Sequence, residues 1–427
     1  MEEEKMAGKK KRKKSSLMPI VTVSILVIVG CIIYMFMENN KNNINDNTTN
    51  NVTENVIEHI TTEKEITQDK QQKELSSVLQ INYYLEQPDT DYKVYVRPEK
   101  VKGIYVSGPR AGSSKYMPQL IELAKETEIN AMVIDIKNDS GEVTYKMDIP
   151  EVTQIGAGVN YIKDIKELIE TLNENNIYPI ARIVAFKDSY IAEKRPELTI
   201  KNKDGSVWRD KSNIAWVNPY NKEVWDYIIA IAKEAAAVGF KEIQFDYIRF
   251  STDSRMKNAD FGELAETMSR TEIINEFTKY AYEQLSPLGV YVSADVYGTI
   301  ITSKVDAEIV GQDYVEMSKY LDYICPMVYP SHYANNSMGI KYPDLDPYNI
   351  IYKSMNYSNE KLSIIDGHKA IVRPWLQAFT ASWLASYQTY GGTQIRQQIQ
   401  AVYDSGLEEW ILWNGSCSYT NDGLEKE

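Results

Sequence analysis

The chain has 427 residues and a formal net charge of -13 at pH 7, enough length for one large barrel with appendages. Its first sixteen residues carry seven Lys or Arg against three Glu, so the remainder is more acidic than the whole, which argues against nucleic acid as a partner. The three cysteines, Cys31, Cys325 and Cys417, show no CxxC or framework spacing, so neither a disulfide scaffold nor a zinc site is indicated.

Residues 17–37, LMPIVTVSILVIVGCIIYMFM, contain no charge and are long enough to cross a bilayer as one helix. The basic cluster at 9–14 precedes them, so the positive-inside rule predicts a single-pass cell-membrane protein with residues 1–16 cytoplasmic and the rest outside. A cleaved signal peptide is the alternative, but no small-x-small site closes the apolar run. Ile28-Val29-Gly30-Cys31 resembles a lipobox, yet the residues after Cys31 stay apolar. Residues 38–75 are rich in Asn, Thr, Glu and Lys with few aromatics, the composition of a flexible tether. Residues 76–100 form a lead-in segment with an apolar patch around Val78, Leu79, Tyr83, Tyr84 and Tyr95.

From 101 to 420, strand-like runs alternate with helical patterns. The runs are 102–107, 131–137, 178–186, 241–250, 290–297, 323–329, 370–379 and 409–414, and helical patterns fall at 117–128, 160–175, 221–238, 270–286, 313–320, 348–357 and 392–405. Alternation of this kind predicts an α/β fold, a (β/α)8 TIM barrel. No GxGxxG or Walker loop follows the first run, which argues against a doubly wound nucleotide-binding sheet.

Chemistry in such barrels sits at the C-terminal ends of the strands. The stretch GFKEIQFDYIRF (239–250) puts Asp246 at a strand end among large apolar neighbours, where an ionised carboxylate needs a cation or hydrogen-bond donors. The other ends supply Asp135 and Lys137, Arg182, Tyr247 and Arg249, Asp295 and Tyr297, Tyr329 and His332, Trp375 and Gln377, and Trp413. Carboxylates, arginines and aromatics converging on one mouth describe a polar pocket with stacking walls, a surface suited to sugar rings. Two carboxylates flanking one bond are also what glycoside hydrolysis needs. Asp246 and Asp295, on neighbouring strands about 4.8 Å apart, are therefore the candidate catalytic pair, with Asp246 as nucleophile or base and Asp295 as acid. The remaining strand-end residues are candidate substrate contacts. Trp208, in the long loop 187–219, is read as a lid residue or a loop anchor, and a long loop on the active face of a barrel favours the lid. His332 lacks HxH or HxxxH company, so no metal is predicted, and no cofactor either. A Schiff-base lyase built on Lys137 is disfavoured by the acids around it. The non-enzymatic alternative is a cell-surface barrel that binds carbohydrate without cleaving it.

The motifs GIYVSG (103–108), NAMVIDIKNDSGEV (130–143), YPIARIVAFKD (178–188), WVNPYNKEVWDY (216–227), GFKEIQFDYIRF (239–250), SADVYG (293–298), ICPMVYPSHY (324–333) and RPWLQAF (373–379) resemble the DUF4015 glycoside hydrolase domain family, a TIM-barrel group of the glycosidase superfamily. The resemblance spans about 101–420 and implies hydrolysis of O-glycosyl bonds in an extracellular or cell-wall polysaccharide. By similarity to α-amylase-type barrels it makes Asp246 the nucleophile and a carboxylate on the fifth strand the acid. This sequence departs from those enzymes in offering Asp295 where they use Glu, and in having no carboxylate in VRPWLQAF. Asp135 or Asp139 could stand in for the missing third acid.

Overall fold

Eight parallel strands close on themselves in the structure, a computed structural model that describes residues 98–426. They are β1 (Lys102–Val106), β2 (Ala131–Lys137), β3 (Tyr178–Val184), β4 (Glu242–Asp246), β5 (Tyr291–Tyr297), β6 (Tyr323–Met327), β7 (Trp375–Gln377) and β8 (Trp410–Trp413). Each pairs with its neighbour in chain order, and β8 pairs back onto β1, so this barrel wall has no free edge. The seventh strand begins as Ile371–Val372 against β6 and is broken at Pro374, which has no N–H to give the ladder.

Helices connect successive strands: α1 (Met117–Glu126), α2 (Ile165–Glu174), α3 (Lys222–Ala237), α4 (Arg270–Leu285), α5 (Tyr314–Ser318), α6 (Pro347–Leu362) and α7 (Gly392–Asp404). Their starts are set locally. The side chains of Asp164, Asn221 and Asp346 cap α2, α3 and α6, and Ser269 with Glu272 forms a capping box on α4; each such cap is worth about 1 kcal/mol.

The two-residue period sorts side chains into two cores. On β4, Ile243 and Phe245 face outward and are fully buried, Phe245 lying 5.7 Å ring to ring from Phe277 of α4. Glu242, Gln244 and Asp246 face inward. The lower interior is polar and buried: Arg373 is ion-paired to Glu242, Ser293 Oγ donates to Glu242 at 2.5 Å, and Gln244 Nε2 donates to Cys325 Sγ at 3.2 Å. Removing one partner of a buried ion pair leaves the other charge unpaired, at a cost of about 3–5 kcal/mol. Arg373→Met is therefore expected to lower the unfolding free energy by roughly that amount, read from the urea midpoint at constant m-value.

The barrel and its strand assignments agree with the sequence reading, but the membrane-anchored reading is corrected. Among the described residues no helix is long and apolar enough to cross a membrane. The expected span at 17–37, the basic tail and the tether all lie outside those residues. Single-pass topology, membrane attachment and an extracellular barrel consequently have no place in the functional reading below. A second correction concerns the loop 187–219. It folds back as an antiparallel arm through bridges such as Lys187 to Trp216 and Arg209 to Ala215, and Lys201–Asn202 pairs with Ala259–Asp260. Trp208 is buried within this arm, its backbone N–H donating to the Ile200 carbonyl at 2.9 Å. It anchors the arm and does not act as a lid.

Candidate active site

Three carboxylates near the C-terminal ends of the strands are tied together by one guanidinium. Arg182 of β3 donates through Nε (3.0 Å) and Nη2 to Oδ2 of Asp246, through Nη1 to Asp135, and through Nη2 to Asp139 at 3.2 Å. Asp135 also accepts the Tyr105 hydroxyl, and Asp139 accepts Lys187 Nζ at 3.1 Å. Burial opposes the charge on Arg182, but the three carboxylates hold its pKa well above the usual guanidinium value. Burial likewise raises Asp139, and Arg182 and Lys187 overcome it, bringing this carboxyl down to about 2.

Asp246 takes its position from the end of β4. The next residue, Tyr247, has φ +49°, the left-handed region that a bulky side chain rarely enters. That turn aims the Tyr247 N–H at Oδ1 of Asp246 and brings the Tyr247 ring within 4.5 Å of Lys187 Nζ. Both oxygens of Asp246 thus face donors. Asp295, equally buried, meets a donor at one oxygen only among the described residues. It is buried one strand away on β5, and Oδ1 accepts Trp375 Nε1 at 2.6 Å. Among the described residues nothing hydrogen-bonds to its Oδ2. Burial first, and the charge on Asp246 second, push the Asp295 pKa well above the ordinary carboxylate range.

These groups line a cavity of about 290 Å3 at the C-terminal mouth of the barrel. Of the sequence-expected residues, the structure gathers Asp246, Asp295, Arg182, Tyr247, Arg249, Tyr297, Tyr329, His332, Trp375 and Trp413 around it. Trp375 and Trp413 meet edge to face at 5.6 Å. His332 sits beside Tyr329, and burial lowers its pKa. Gly298 also lines the cavity, and a Cβ there would collide with the Met327 carbonyl, so only glycine lets the chain pass after Tyr297.

Three expected contacts are placed elsewhere. Asp135 lies beneath the cavity, held by Arg182 and Tyr105; burial leads in raising its pKa. Lys137 is turned aside by a register shift between Asp135 and Lys137, and its Nζ is used by Asp188 (2.8 Å) and the Val184 carbonyl (2.8 Å). Gln377 is saturated: Oε1 accepts Ser331 N–H at 3.0 Å, while Nε2 donates to Asp344 at 3.0 Å and to the Phe379 carbonyl at 3.1 Å. It fastens two loops together and has no donor left for a sugar.

Thr299, Met327 and Tyr333 line the cavity and escaped the sequence reading, as did two aromatics beside it. Phe379 lies 6.4 Å from His332, and Trp383, 64% exposed, stacks on Phe379 at 5.9 Å. Both sit in the loop between β7 and α7, where an aromatic has no periodic signature. Among the described residues there is no cluster of three or more His, Cys, Asp or Glu able to hold a metal ion.

Residues 103–419 match the model of the family DUF4015, described as "Putative glycosyl hydrolase domain". The chain belongs to this family. Among solved structures, this DUF4015 chain is similar to a hypothetical protein from Ruminiclostridium thermocellum ATCC 27405, with 46% identity over 45% of this chain and 97% of that one, TM-score 0.42. It is also similar to the PgaB (BpsB) glycoside hydrolase domain from Bordetella bronchiseptica, with 14% identity over 75% and 95% of the two chains, TM-score 0.53. At that identity the likeness is one of fold. The spore cortex-lytic enzyme SleL from Bacillus cereus matches at 12% identity over 75% and 72%, TM-score 0.43. No curated protein matches the chain. At the level of family and fold, the barrel is glycoside-hydrolase-like.

Proposed function

We propose that this barrel hydrolyses glycosidic bonds in an oligo- or polysaccharide, with Asp295 as general acid and Asp246 as nucleophile or base. The observation that carries the reading is the different environment of two neighbouring buried carboxyl groups, one facing a guanidinium and a backbone N–H, the other facing an indole N–H and raised in pKa. Raising the pKa of one carboxyl is how a site keeps a proton donor available beside a second acid with a different role. The Trp375 indole engages Oδ1 of Asp295 and leaves Oδ2 to carry the proton toward the leaving oxygen. As the bond breaks, positive charge develops on the ring carbon and the Asp246 carboxylate faces it, either attacking directly or activating water. Trp413 and Tyr329 offer apolar faces to the ring.

One observation favours a binding barrel without turnover: Arg182 already engages Oδ2 of Asp246 through two nitrogens, so an attacking oxygen must share that atom or rotate free. Release of reducing ends from a polysaccharide panel by the fragment 98–427 distinguishes the two readings. Release supports hydrolysis, and glycan binding without release supports the binding barrel. Trp383→Ala is expected to raise KM about fivefold for long oligosaccharides, the loss of one aromatic stacking contact, and to leave KM for the shortest cleaved substrate unchanged.

A further inference from the structure

This inference rests on the reading of Asp246 and Asp295 as the cleavage site and specifies what is cleaved there. Arg249, three residues after Asp246, stands on the wall shared by the main cavity and a smaller one of about 200 Å3 beside it. Buried Ile248 and Phe250 fix the backbone on either side. The guanidinium lies 4.9 Å from the ring centre of Tyr247, 5.4 Å from Trp216 and 5.5 Å from Tyr297. Three rings hold the cation in place, but ring faces do not satisfy its in-plane N–H groups.

Those N–H groups are largely unused. Nη1 donates to the Phe250 carbonyl at 2.9 Å, and Nε is buried with no hydrogen-bond partner. Among the described residues no carboxylate pairs with Arg249, whereas Arg182 nearby engages three. A buried donor left without an acceptor is unusual in a folded protein, and here it marks a guanidinium whose hydrogen-bonding capacity the chain itself leaves largely unused.

The neighbouring charges favour an anion. Lys187 and Lys211 line the smaller cavity, together with Asp210 and Asp253. Both acids already have donors: Arg255 Nη2 (2.6 Å) and Lys211 N (2.7 Å) reach Asp253, and the N–H groups of Ser212 (2.9 Å), Ile214 (3.0 Å) and Trp216 (3.2 Å) reach Asp210. Of the acids lining the main cavity, Asp139 is taken up by Arg182 and Lys187, and Asp246 by Arg182. In a chain whose net charge is -13, Arg249 is a cation left free at the edge of the cleavage site. A neutral hydroxyl would satisfy one N–H and leave the charge unmatched. A planar carboxylate matches the guanidinium in both shape and charge, through the N–H groups of Nη1 and Nη2 that the Phe250 carbonyl does not use.

We propose that the substrate is an acidic glycan, and that a sugar bearing a carboxylate, of the uronic-acid type, docks on Arg249 beside the sugar whose bond is cleaved. The test reads binding, so it is independent of turnover. Titration calorimetry compares a panel of uronic-acid oligosaccharides with the same molecules after their carboxyl groups are reduced to neutral alcohols, at low and high salt. For at least one member the acidic form is expected to bind at least tenfold more tightly than its reduced counterpart, with the preference shrinking as salt rises. Arg249→Gln is expected to bring that ratio close to one. Arg249→Lys, which keeps the charge and loses the fork, is expected to retain part of it. Matching thermal midpoints for the two variants and wild type identify a change at the site and not in the fold. Equal binding of acidic and reduced forms across the whole panel, or a preference that survives Arg249→Gln, overturns the proposal. Selective acidic binding without any release of reducing ends upholds it and counts against hydrolysis instead.

Discussion

Asp246→Asn is expected to lower the release of reducing ends by about four orders of magnitude, the scale on which removing a reacting carboxylate acts, while oligosaccharide affinity changes little. The substitution keeps the shape of the side chain and the acceptor for the Tyr247 N–H. Arg182 loses its charge partner on β4 but keeps Asp135 and Asp139, so the guanidinium stays in place and the barrel stays folded. A variant that binds and does not turn over separates the chemical role of Asp246 from a structural one. If cleavage by Asp246→Asn stays within tenfold of wild type, Asp246 is neither nucleophile nor base and the pairing with Asp295 is wrong.

Asp295→Asn tests the acid. General acid catalysis contributes about 10²- to 10⁴-fold, so a loss of that size is expected with natural leaving groups and a much smaller one with a nitrophenyl glycoside, whose leaving group needs no proton. The pH profile carries the sign. The acid works only while protonated, so the wild-type rate falls as pH rises through the raised pKa of Asp295, and this basic limb disappears in the variant. Stability follows the same group. A carboxyl whose folded pKa lies above its unfolded value contributes stability that is complete below the unfolded pKa and is lost as pH rises through the folded one. Wild type is therefore expected to lose urea resistance relative to Asp295→Asn as pH rises across that window. A basic limb that persists in Asp295→Asn assigns the proton donor to another residue.

Much of the site was legible because a barrel converts strand ends into neighbours. Once eight strand-like runs were recognised, the acids and arginines at their C-terminal ends had to meet at one mouth, and Asp246, Asp295, Arg182 and Arg249 follow from that alone. Lys137 and Gln377 failed the same rule for local reasons. A register shift beside Asp135 re-aims Lys137 toward Asp188, and Gln377 spends its donors on Asp344 and the Phe379 carbonyl. Neither a bulge nor a saturated amide leaves a mark in sequence spacing. Trp208 shows the opposite failure: a tryptophan in a long loop looks available for function until the loop proves to be a paired arm with that ring inside it.

Periodicity along the chain determined the alternating strands and helices from which the barrel follows, and which residues of a strand share a face, because side-chain alternation is a local consequence of the backbone. What only the tertiary structure decided is charge partnership. Arg182, Arg373 and Arg249 look alike in sequence, each set near the end of an apolar run. In the folded barrel the first is shared among three carboxylates, the second is locked to Glu242, and the third is held by three rings with a buried N–H unpaired. Which acid an arginine meets depends on residues brought together from distant strands, and in a buried site those meetings set both the pKa of the acid and the charge left over for a ligand.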